Sequence, residues 1–326
     1  MKNFKDSIDI IRKYDSSLPR KKYNKQLLKG VKNLKWGQRK LLMAEIDFLT
    51  RYYDSFDKDS KKYVLYVGAS PGYHINYLIY MFPNIHFILY DKVDSAVKKQ
   101  SNVTFHQKYF DNEEAKKYKN MNLFFISDIR SLTVGKYLDF IRSSSIIEEG
   151  SDKFNDSQSK ASEIIYQDMV FQQEWCKIIN PKEASLKFRV SWETPITTYY
   201  DGTIYFQIWA GNESIELRLV PNLSSSKKWD NKEIEEICFY YNVVTRRKKL
   251  SDQNNPCIGN YHESFAEADV IERYLNKFYS KELKENTLSV CDVSLSISLY
   301  LLKGVNNIKT HKRLRSTVDP IFLKQV

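Results

Sequence analysis

The sequence predicts an α/β fold with a mixed central sheet and helices on both faces. In the first half of the chain, short apolar segments without polar alternation are separated by helical patterns, which is typical of parallel strands buried on both faces. After residue 185, polar and apolar residues alternate and Gly-containing turns follow, which indicates antiparallel pairing. A parallel half that ends in antiparallel strands forms a mixed sheet.

Composition indicates a globular protein with an excess of positive charge. The chain has 326 residues, of which 42% are hydrophobic and 14% aromatic, so wholesale disorder is excluded. The net charge of +11 favours a polyanionic partner such as nucleic acid, although basic drift in a Lys-rich protein gives the same balance. Charges throughout residues 1–15 argue against a secretory signal, and glycines and prolines interrupt the longest uncharged segment, Tyr63–Tyr90. We therefore expect a soluble, cytoplasmic protein.

The first half of the chain predicts four strands. A basic segment, Arg20–Lys40, runs into a helical pattern that carries apolar residues at three- and four-residue spacing up to Tyr53. The predicted strands that follow are Tyr63–Val67, His86–Tyr90, Val103–His106 and Asn122–Ile126. Beyond them, a polar loop is predicted at Ser143–Ser162 and a helix at Glu163–Cys176.

The second half predicts antiparallel strands and then helices. Ser185–Val190 alternates, and Thr197–Phe206 reads as a hairpin with a type I′ turn at Asp201-Gly202. Gln207–Ala210 and Ser214–Val220 are predicted to flank a second turn. We expect one domain over residues 1–326, with a basic arm (1–35), a catalytic core (36–225) and a mostly helical extension (226–326).

A glycine turn after the first strand predicts a nucleotide site. Gly68 and Gly72 bracket the turn, and Asp91 follows Gly72 by 19 residues, where an acid can accept both hydroxyls of a ribose. The third glycine of the dinucleotide fingerprint and the Lys-Ser/Thr pair of a P-loop are absent. An adenosine ligand without phosphates, such as S-adenosylmethionine, is therefore favoured over a pyrophosphate. A plain strand–helix connection is the alternative.

Four charged residues stand at strand ends, on polar strand faces or at a helix start. Asp128 ends a buried strand, Lys187 and Glu216 each oppose an apolar row, and Lys40 opens the helix before the first strand. Two lysines and two carboxylates can form an alternating network that holds a lysine and lowers its pKa from roughly 10.4 towards that of a general base. Taken singly, each is better explained as an ordinary solvated charge on a half-exposed strand.

Several motifs, in order, resemble one known family. They are Trp36–Leu42, Val67–Ile75, Ile126–Ser131, Asn180-Pro181 with Ser185–Arg189, and Glu216–Leu219. These segments look like successive motifs of the poxvirus-type cap-specific mRNA (nucleoside-2′-O)-methyltransferase, a family whose members also serve as the stimulatory subunit of the viral poly(A) polymerase. The resemblance runs from about Trp36 to Val220 and becomes faint in the last hundred residues.

The resemblance implies a class I (Rossmann-like) methyltransferase fold that uses S-adenosylmethionine and requires no metal. Its catalytic set falls on Lys40, Asp128, Lys187 and Glu216, with Lys187 as the candidate base. The cofactor residues are Gln38, Tyr66, Gly68, Gly72 and Asp91, with Tyr109, Phe110 and Ile129 around the adenine. The acceptor is the ribose 2′-hydroxyl of the first transcribed nucleotide of capped mRNA.

The resemblance also implies a pocket for the 7-methylguanine cap, a cationic ring that proteins sandwich between aromatics. Trp192 is one predicted aromatic, Tyr23 the other, with Tyr14 as a competitor. Glu235 is the predicted carboxylate; Thr194 stands where the family has a second acid, which Glu193 can replace. Implied partners are capped mRNA and a poly(A) polymerase catalytic subunit, with the RNA backbone along Arg20–Lys40 and Arg246–Lys249.

Two other functions stay open on the same fold. One is a non-catalytic RNA-binding or polymerase-stimulatory subunit, against which the four intact charges argue. The other is a 2′-O-methyltransferase of uncapped, ribosomal-type RNA, against which Trp192 and the C-terminal hundred residues argue.

Overall fold

The computed structural model describes residues 8–28, 37–131, 152–191, 194–250 and 263–302. Seven strands are present in these ranges: β1 (Lys62–Val67), β2 (Ile85–Asp91), β3 (Val103–Gln107), β4 (Leu123–Ser127), β5 (Glu183–Phe188), β6 (Ile196–Phe206) and β7 (Leu217–Asp230). The helices are α1 (Gly37–Tyr52), α2 (Tyr73–Met81), α3 (Asn112–Lys116), α4 (Asp152–Ile179), α5 (Asn231–Tyr240), α6 (Arg246–Lys249), α7 (Ser264–Phe278), α8 (Ser280–Lys284) and α9 (Val290–Leu302). A π-helical turn, Tyr241–Thr245, joins α5 to α6.

The strands form one sheet in the order β3-β2-β1-β4-β5-β7-β6. The first five strands in this order are parallel, and β7 runs antiparallel to both β5 and β6. Helices α1, α2, α7 and α9 pack together, while α3 packs with α4, which lies against β5 and β6. The predicted fold class, a Rossmann-like methyltransferase fold with a mixed central sheet, is confirmed.

The C-terminal helices share the core of the sheet. Val270 and Ile271 of α7 are fully buried in the same apolar cluster as Leu42 and Ile46 of α1. The predicted boundaries between arm, core and extension stay a prediction. In the described ranges, no helix has both the length and the apolar character needed to cross a membrane.

The predicted hairpin at Thr197–Phe206 is wrong, because β6 is one continuous strand along β7. The Asp201-Gly202 pair instead forms a bulge in the ladder after Tyr200, and Gly202 pairs with Pro221. Pro221 has no N–H to donate to the ladder at this position. A Cβ on Gly202 would lie 2.2 Å from the Val220 carbonyl oxygen, so only glycine permits this approach.

Two further boundaries differ from the prediction. Residues 152–162 of the predicted polar loop are helical, since α4 begins at Asp152; residues 143–151 lie outside the described residues. The first turns of α4 are polar and lack the apolar residues at three- and four-residue spacing from which a helix is predicted. Strand β7 begins at Leu217 rather than Ser214 and continues to Asp230, because its second half pairs with the first half of β6.

Candidate active site

The carboxyl ends of the parallel strands bring Gly68, Asp91 and Asp128 to one edge of the sheet, where open α/β sheets bind ligands. Gly68 has φ +88°, and a Cβ there would lie 2.7 Å from the Asp128 carbonyl carbon. Glycine at this position therefore lets the β1 and β4 ends approach. The Asp91 carboxylate accepts from the backbone N–H groups of Ser70 and Val93, each at 2.9 Å, which fixes its orientation at the tip of β2.

A cleft of about 660 Å³ opens beside these strand ends. Five of the predicted cofactor residues line it: Gly68, Asp91, Tyr109, Phe110 and Ile129. Trp175 of α4 also lines it and meets the Phe110 ring edge-on, with ring centroids 5.0 Å apart. The cleft combines an acidic tip, an apolar wall and a close glycine backbone, which fits an adenosine group.

The other three predicted cofactor residues do not line this cleft. Gln38 Oε1 lies 2.8 Å from His74 Nδ1, and the fully buried Tyr66 donates its hydroxyl to Glu45 at 2.7 Å. Gly72 precedes α2 with φ +72°, and a Cβ there would lie 2.7 Å from a backbone oxygen, Ala69 O. These residues shape the turn and helix next to the cleft, and direct contact with a cofactor stays a prediction for them.

The four predicted catalytic residues converge. Lys187 Nζ lies 2.9 Å from Asp128 Oδ1 and 3.8 Å from Glu216 Oε2, and Lys40 Nζ lies 2.5 Å from Glu216 Oε1. Their side chains are only 11% to 14% exposed. The result is a row in which two ammonium and two carboxylate groups alternate. The groups are mostly buried but keep a small area of contact with solvent.

The sheet order explains this convergence. Strands β4 and β5 are parallel neighbours, so Asp128 at the end of β4 lies beside the end of β5, where Lys187 stands between the buried Leu186 and Phe188. On the other side of β5, Lys187 pairs with Arg218 of β7, and Glu216 immediately precedes that strand. The ammonium of Lys187 also donates to the Ile129 carbonyl at 3.3 Å, and thus reaches the wall of the first cleft.

Burial and neighbouring charges shift the pKa values of these groups. Burial lowers the pKa of Lys187; Asp128 and Glu216 oppose this, and the cations Arg130 and Arg218 add to it. Burial alone would raise the pKa of Asp128, but Lys187 and Arg218 outweigh it and lower that pKa to about 2. The row is therefore built to keep both carboxylates ionised while it favours the neutral amine of Lys187.

Two residues missed by sequence reasoning tie the row together. Arg218 Nη2 donates to Asp128 Oδ1 at 2.5 Å, and Gln207 Nε2 donates to Glu216 Oε1 at 3.0 Å. Gln207 also accepts from Arg218 Nε at 3.2 Å, which links the two carboxylates through one amide. The sequence did carry a signal for Arg218, because it stands two residues after Glu216 on the same polar strand face; Gln207 carried none.

A second cleft of about 350 Å³ lies at the Lys40 and Glu216 end of the row. Lys40 and Glu216 line it, together with Trp209 and residues 213–215 of the segment before β7. Trp209 is held by two buried carboxylates, since its backbone N–H and its indole N–H donate to Glu263 and Glu267 at 2.6 Å each. The row of four charges thus borders the second cleft through Lys40 and Glu216 and meets the wall of the first through Ile129.

The predicted cap residues are only partly described. Tyr23 is 45% exposed and its ring packs on Phe239 at 5.2 Å; burial raises its pKa, and the charges of Glu213 and Glu235 add to the rise. The competitor Tyr14 instead donates to Glu233 at 2.8 Å. Trp192 and Glu193 lie outside the described residues.

Predicted basic and metal features have mixed outcomes. In the predicted RNA-binding segment Arg246–Lys249, Arg246 is buried and pairs with Glu263 at 2.5 Å, so it serves the fold, whereas Lys248 and Lys249 are exposed. Across the described ranges, there is no cluster of three or more His, Cys, Asp or Glu side chains that could hold a metal ion. Metal-independence of the reaction stays a prediction.

Comparisons with known proteins find one family model, a curated relative and a solved structure that are similar to this chain. Residues 13–143 match the family model described as poly A polymerase regulatory subunit. A fowlpox virus (strain NVSL) protein named cap-specific mRNA (nucleoside-2′-O-)-methyltransferase is 27% identical over 258 residues, covering 72% of this chain and 76% of that protein. The solved structure of bluetongue virus VP4, titled a multifunctional RNA-capping production line, covers 60% of this chain and 30% of that one at 15% identity and TM-score 0.36. The resemblance that the motifs predicted, to the poxvirus-type cap-specific mRNA 2′-O-methyltransferase, is confirmed.

Proposed function

We propose that this protein transfers the methyl group of S-adenosylmethionine to the ribose 2′-hydroxyl of the first transcribed nucleotide of capped mRNA. The observation that carries the proposal is the position of the catalytic row between two clefts. Lys187 reaches the wall of the first cleft through Ile129, while Lys40 and Glu216 line the second. A methyl donor and a ribose acceptor in separate clefts would meet at this row.

The first cleft supplies what the donor needs. Asp91 stands where a carboxylate accepts ribose hydroxyls, and Tyr109, Phe110 and Ile129 offer apolar faces for an adenine. When bound, S-adenosylmethionine supplies a methyl group that its sulfonium already activates for displacement. The protein is therefore left with two tasks, to align the ribose oxygen and to remove its proton.

Lys187 is the proposed general base. Its Nζ accepts the hydroxyl proton as the ribose oxygen forms its bond to the methyl carbon and the bond from that carbon to sulfur breaks. Burial favours the neutral amine that this step requires. The Asp128 carboxylate, 2.9 Å from Lys187 Nζ, orients the amine. Arg218 Nη2 pairs with the same oxygen, Asp128 Oδ1, at 2.5 Å, which helps to hold the carboxylate in place.

Lys40 and Glu216 face the acceptor side. The Lys40 ammonium pairs with Glu216 at 2.5 Å at the edge of the second cleft, where it can also meet a phosphate next to the acceptor ribose. Glu216 has its pKa lowered well below the ordinary value: burial opposes this, but Lys40 and Lys187 outweigh it. Its charge therefore spaces and holds the two lysines.

Cap selection is assigned to the surface that carries Tyr23 and Glu235, while the part of Trp192 in it rests on the sequence resemblance. Tyr23 offers an exposed ring, and Glu235 interacts with it electrostatically. A cationic 7-methylguanine stacks on such a ring and its guanine edge donates to a carboxylate. Capped mRNA is accordingly the proposed substrate, in the cytoplasm.

The test is transfer of labelled methyl from S-adenosylmethionine to short RNAs with and without a methylated cap. The proposal predicts transfer to capped RNA and little to uncapped RNA. Equal transfer to both would favour a 2′-O-methyltransferase of uncapped RNA. RNA binding without transfer would favour a non-catalytic subunit.

A second role on the same fold is stimulation of a poly(A) polymerase catalytic subunit. It is favoured by the match of residues 13–143 to the poly A polymerase regulatory subunit family. The two roles separate in one variant, because Lys187→Ala removes the proposed base and leaves the outer surface intact. Stimulation of a poxviral polymerase subunit by both parent and variant would support the role, and its absence in the parent would exclude it.

A further inference from the structure

Gln172 of α4 brackets the peptide groups of the proposed base with its side-chain amide. The Lys187 N–H donates to Gln172 Oε1 at 3.0 Å, and Gln172 Nε2 donates to the Lys187 carbonyl, also at 3.0 Å. Gln172 is 1% exposed. A buried polar side chain thus makes two hydrogen bonds to one residue's backbone.

Strand β5 loses its parallel neighbour at this position. The last register pair between β4 and β5 is Ser127↔Leu186, one residue before Lys187. A buried peptide group needs partners for both its N–H and its C=O. The Gln172 amide takes the place that the next β4 residue would have had, so β5 stays extended while Asp128 leaves the ladder to face Lys187.

The same helix also holds the segment that follows Asp128. Asp168, one turn before Gln172, accepts from the Ser131 N–H at 3.0 Å and from the Ser131 hydroxyl at 2.5 Å. Residues four apart lie on one face of a helix. One face of α4 therefore fixes both sides of the 2.9 Å contact between Lys187 and Asp128.

We infer that Gln172 is a positioning residue for Lys187, with Asp168 as its counterpart for the segment after Asp128. The catalytic meaning of this inference rests on the proposed methyl transfer. Gln172 is not among the residues that line either cleft, and besides Lys187 its Nε2 contacts the buried Tyr199 hydroxyl at 3.3 Å, so any effect on the reaction is indirect. A base must lie within hydrogen-bond reach of the proton that it takes, and a misplacement of about 1 Å can cost about 100-fold in rate.

The test compares Gln172→Met with Gln173→Met. The first change removes both hydrogen bonds to Lys187, and with them the 3.3 Å contact to the Tyr199 hydroxyl, at similar side-chain length. The second is the same substitution one position along α4, where the recorded contact is the Gln173 carbonyl, which accepts from the Tyr200 hydroxyl at 3.3 Å. Gln172→Met is expected to lower kcat by about 10- to 100-fold with KM values for cofactor and capped RNA near those of the parent, and Gln173→Met to leave kcat unchanged.

Two further measurements keep the inference decidable. Should Gln172→Met fail to fold, Gln172→Asn keeps a neutral amide on a side chain one carbon shorter, weakens both hydrogen bonds to Lys187, and is expected to lower kcat by less. Titration of the ¹⁵N-labelled Lys187 amine by NMR reports on the surroundings of the amine and needs no activity assay. If Gln172→Met displaces the amine, its titration midpoint is expected to change.

Parental kcat in the folded Gln172 variants would overturn the inference, as would a loss of kcat matched by an equal loss of cofactor affinity. Should the parent protein itself transfer no methyl to capped RNA, the proposed function fails, and the NMR titration alone decides the positioning role. An unchanged Lys187 midpoint then overturns it.

Discussion

Replacement of Lys187 by alanine removes the proposed base from the centre of the catalytic row. General-base catalysis contributes about 10²- to 10⁴-fold to rate. At 1.36 kcal/mol for each tenfold change, the variant is expected to lose about 3 to 5 kcal/mol of transition-state stabilisation. The cleft residues for the cofactor do not include Lys187, so cofactor affinity should stay near that of the parent.

The cost to folding is expected to be small, because neither carboxylate is left alone. Asp128 keeps Arg218 at 2.5 Å, and Glu216 keeps Lys40 at 2.5 Å and Arg130 at 3.5 Å. A buried charge that loses its sole partner destabilises by about 3–5 kcal/mol. Loss of one of several charged hydrogen bonds costs about 1–3 kcal/mol. The variant also no longer has to bury the Lys187 ammonium, and the desolvation energy that this saves offsets part of the cost.

The assay is single-turnover methyl transfer to capped RNA with enzyme in excess, together with urea unfolding and cofactor titration. Lys182→Ala is the matched control: Lys182 precedes the same strand and makes an exposed 2.9 Å pair with Asp57, so its loss should change neither rate nor fold. Transfer by Lys187→Ala at close to the parental rate would refute the base assignment. A variant that fails to bind cofactor would refute the claim that the row and the first cleft are separate.

Three further predictions concern the clefts and the row. Gly68→Ala places a Cβ 2.7 Å from the Asp128 carbonyl carbon, so we expect weaker S-adenosylhomocysteine binding by calorimetry and a stability loss of about 1–3 kcal/mol; unchanged affinity would contradict this. Tyr23→Ala and Glu235→Gln should each reduce the preference for capped over uncapped RNA in competition binding, the former by about 1–3 kcal/mol for the lost stacking; an unchanged preference would remove the residue from the pocket. The pKa of Asp128 is lowered from 3.8 to about 2 in the folded protein, so its ionisation stabilises the fold above pH 3.8, and this contribution is lost as pH falls towards 2. Asp128→Asn should therefore lose less stability than the parent over that range in urea unfolding, and parallel curves would exclude the ion pair.

Much of the fold could be predicted because the strands of the parallel half are apolar without alternation. The four strands predicted there coincide with β1 to β4 within one residue at each end. The hairpin prediction failed because Asp201-Gly202 suits a type I′ turn as well as a bulge, and only the partner strand decides between them. Pro221, opposite Gly202, is far along the chain and gives no local signal.

The candidate site could be predicted as residue types and strand faces, but its contacts could not. Lys187 and Glu216 stood opposite apolar rows in the sequence, yet their 3.8 Å separation depends on β7 lying next to β5, which local spacing does not encode. Gln172 and Gln207 were missed because a neutral amide leaves no charge or period to notice. Tyr66 was predicted near the cofactor; its side chain is fully buried, and its contact with the cofactor stays a prediction.

The most direct test of the account is methyl transfer to two capped RNAs that differ in one atom, the 2′-oxygen of the first transcribed nucleotide. With the 2′-hydroxyl present, labelled methyl should appear on that ribose after nuclease digestion. With 2′-deoxyribose at that position, transfer should cease. Equal labelling of the two RNAs would show that the methyl goes elsewhere, and would contradict a ribose acceptor at the row of Lys40, Asp128, Lys187 and Glu216.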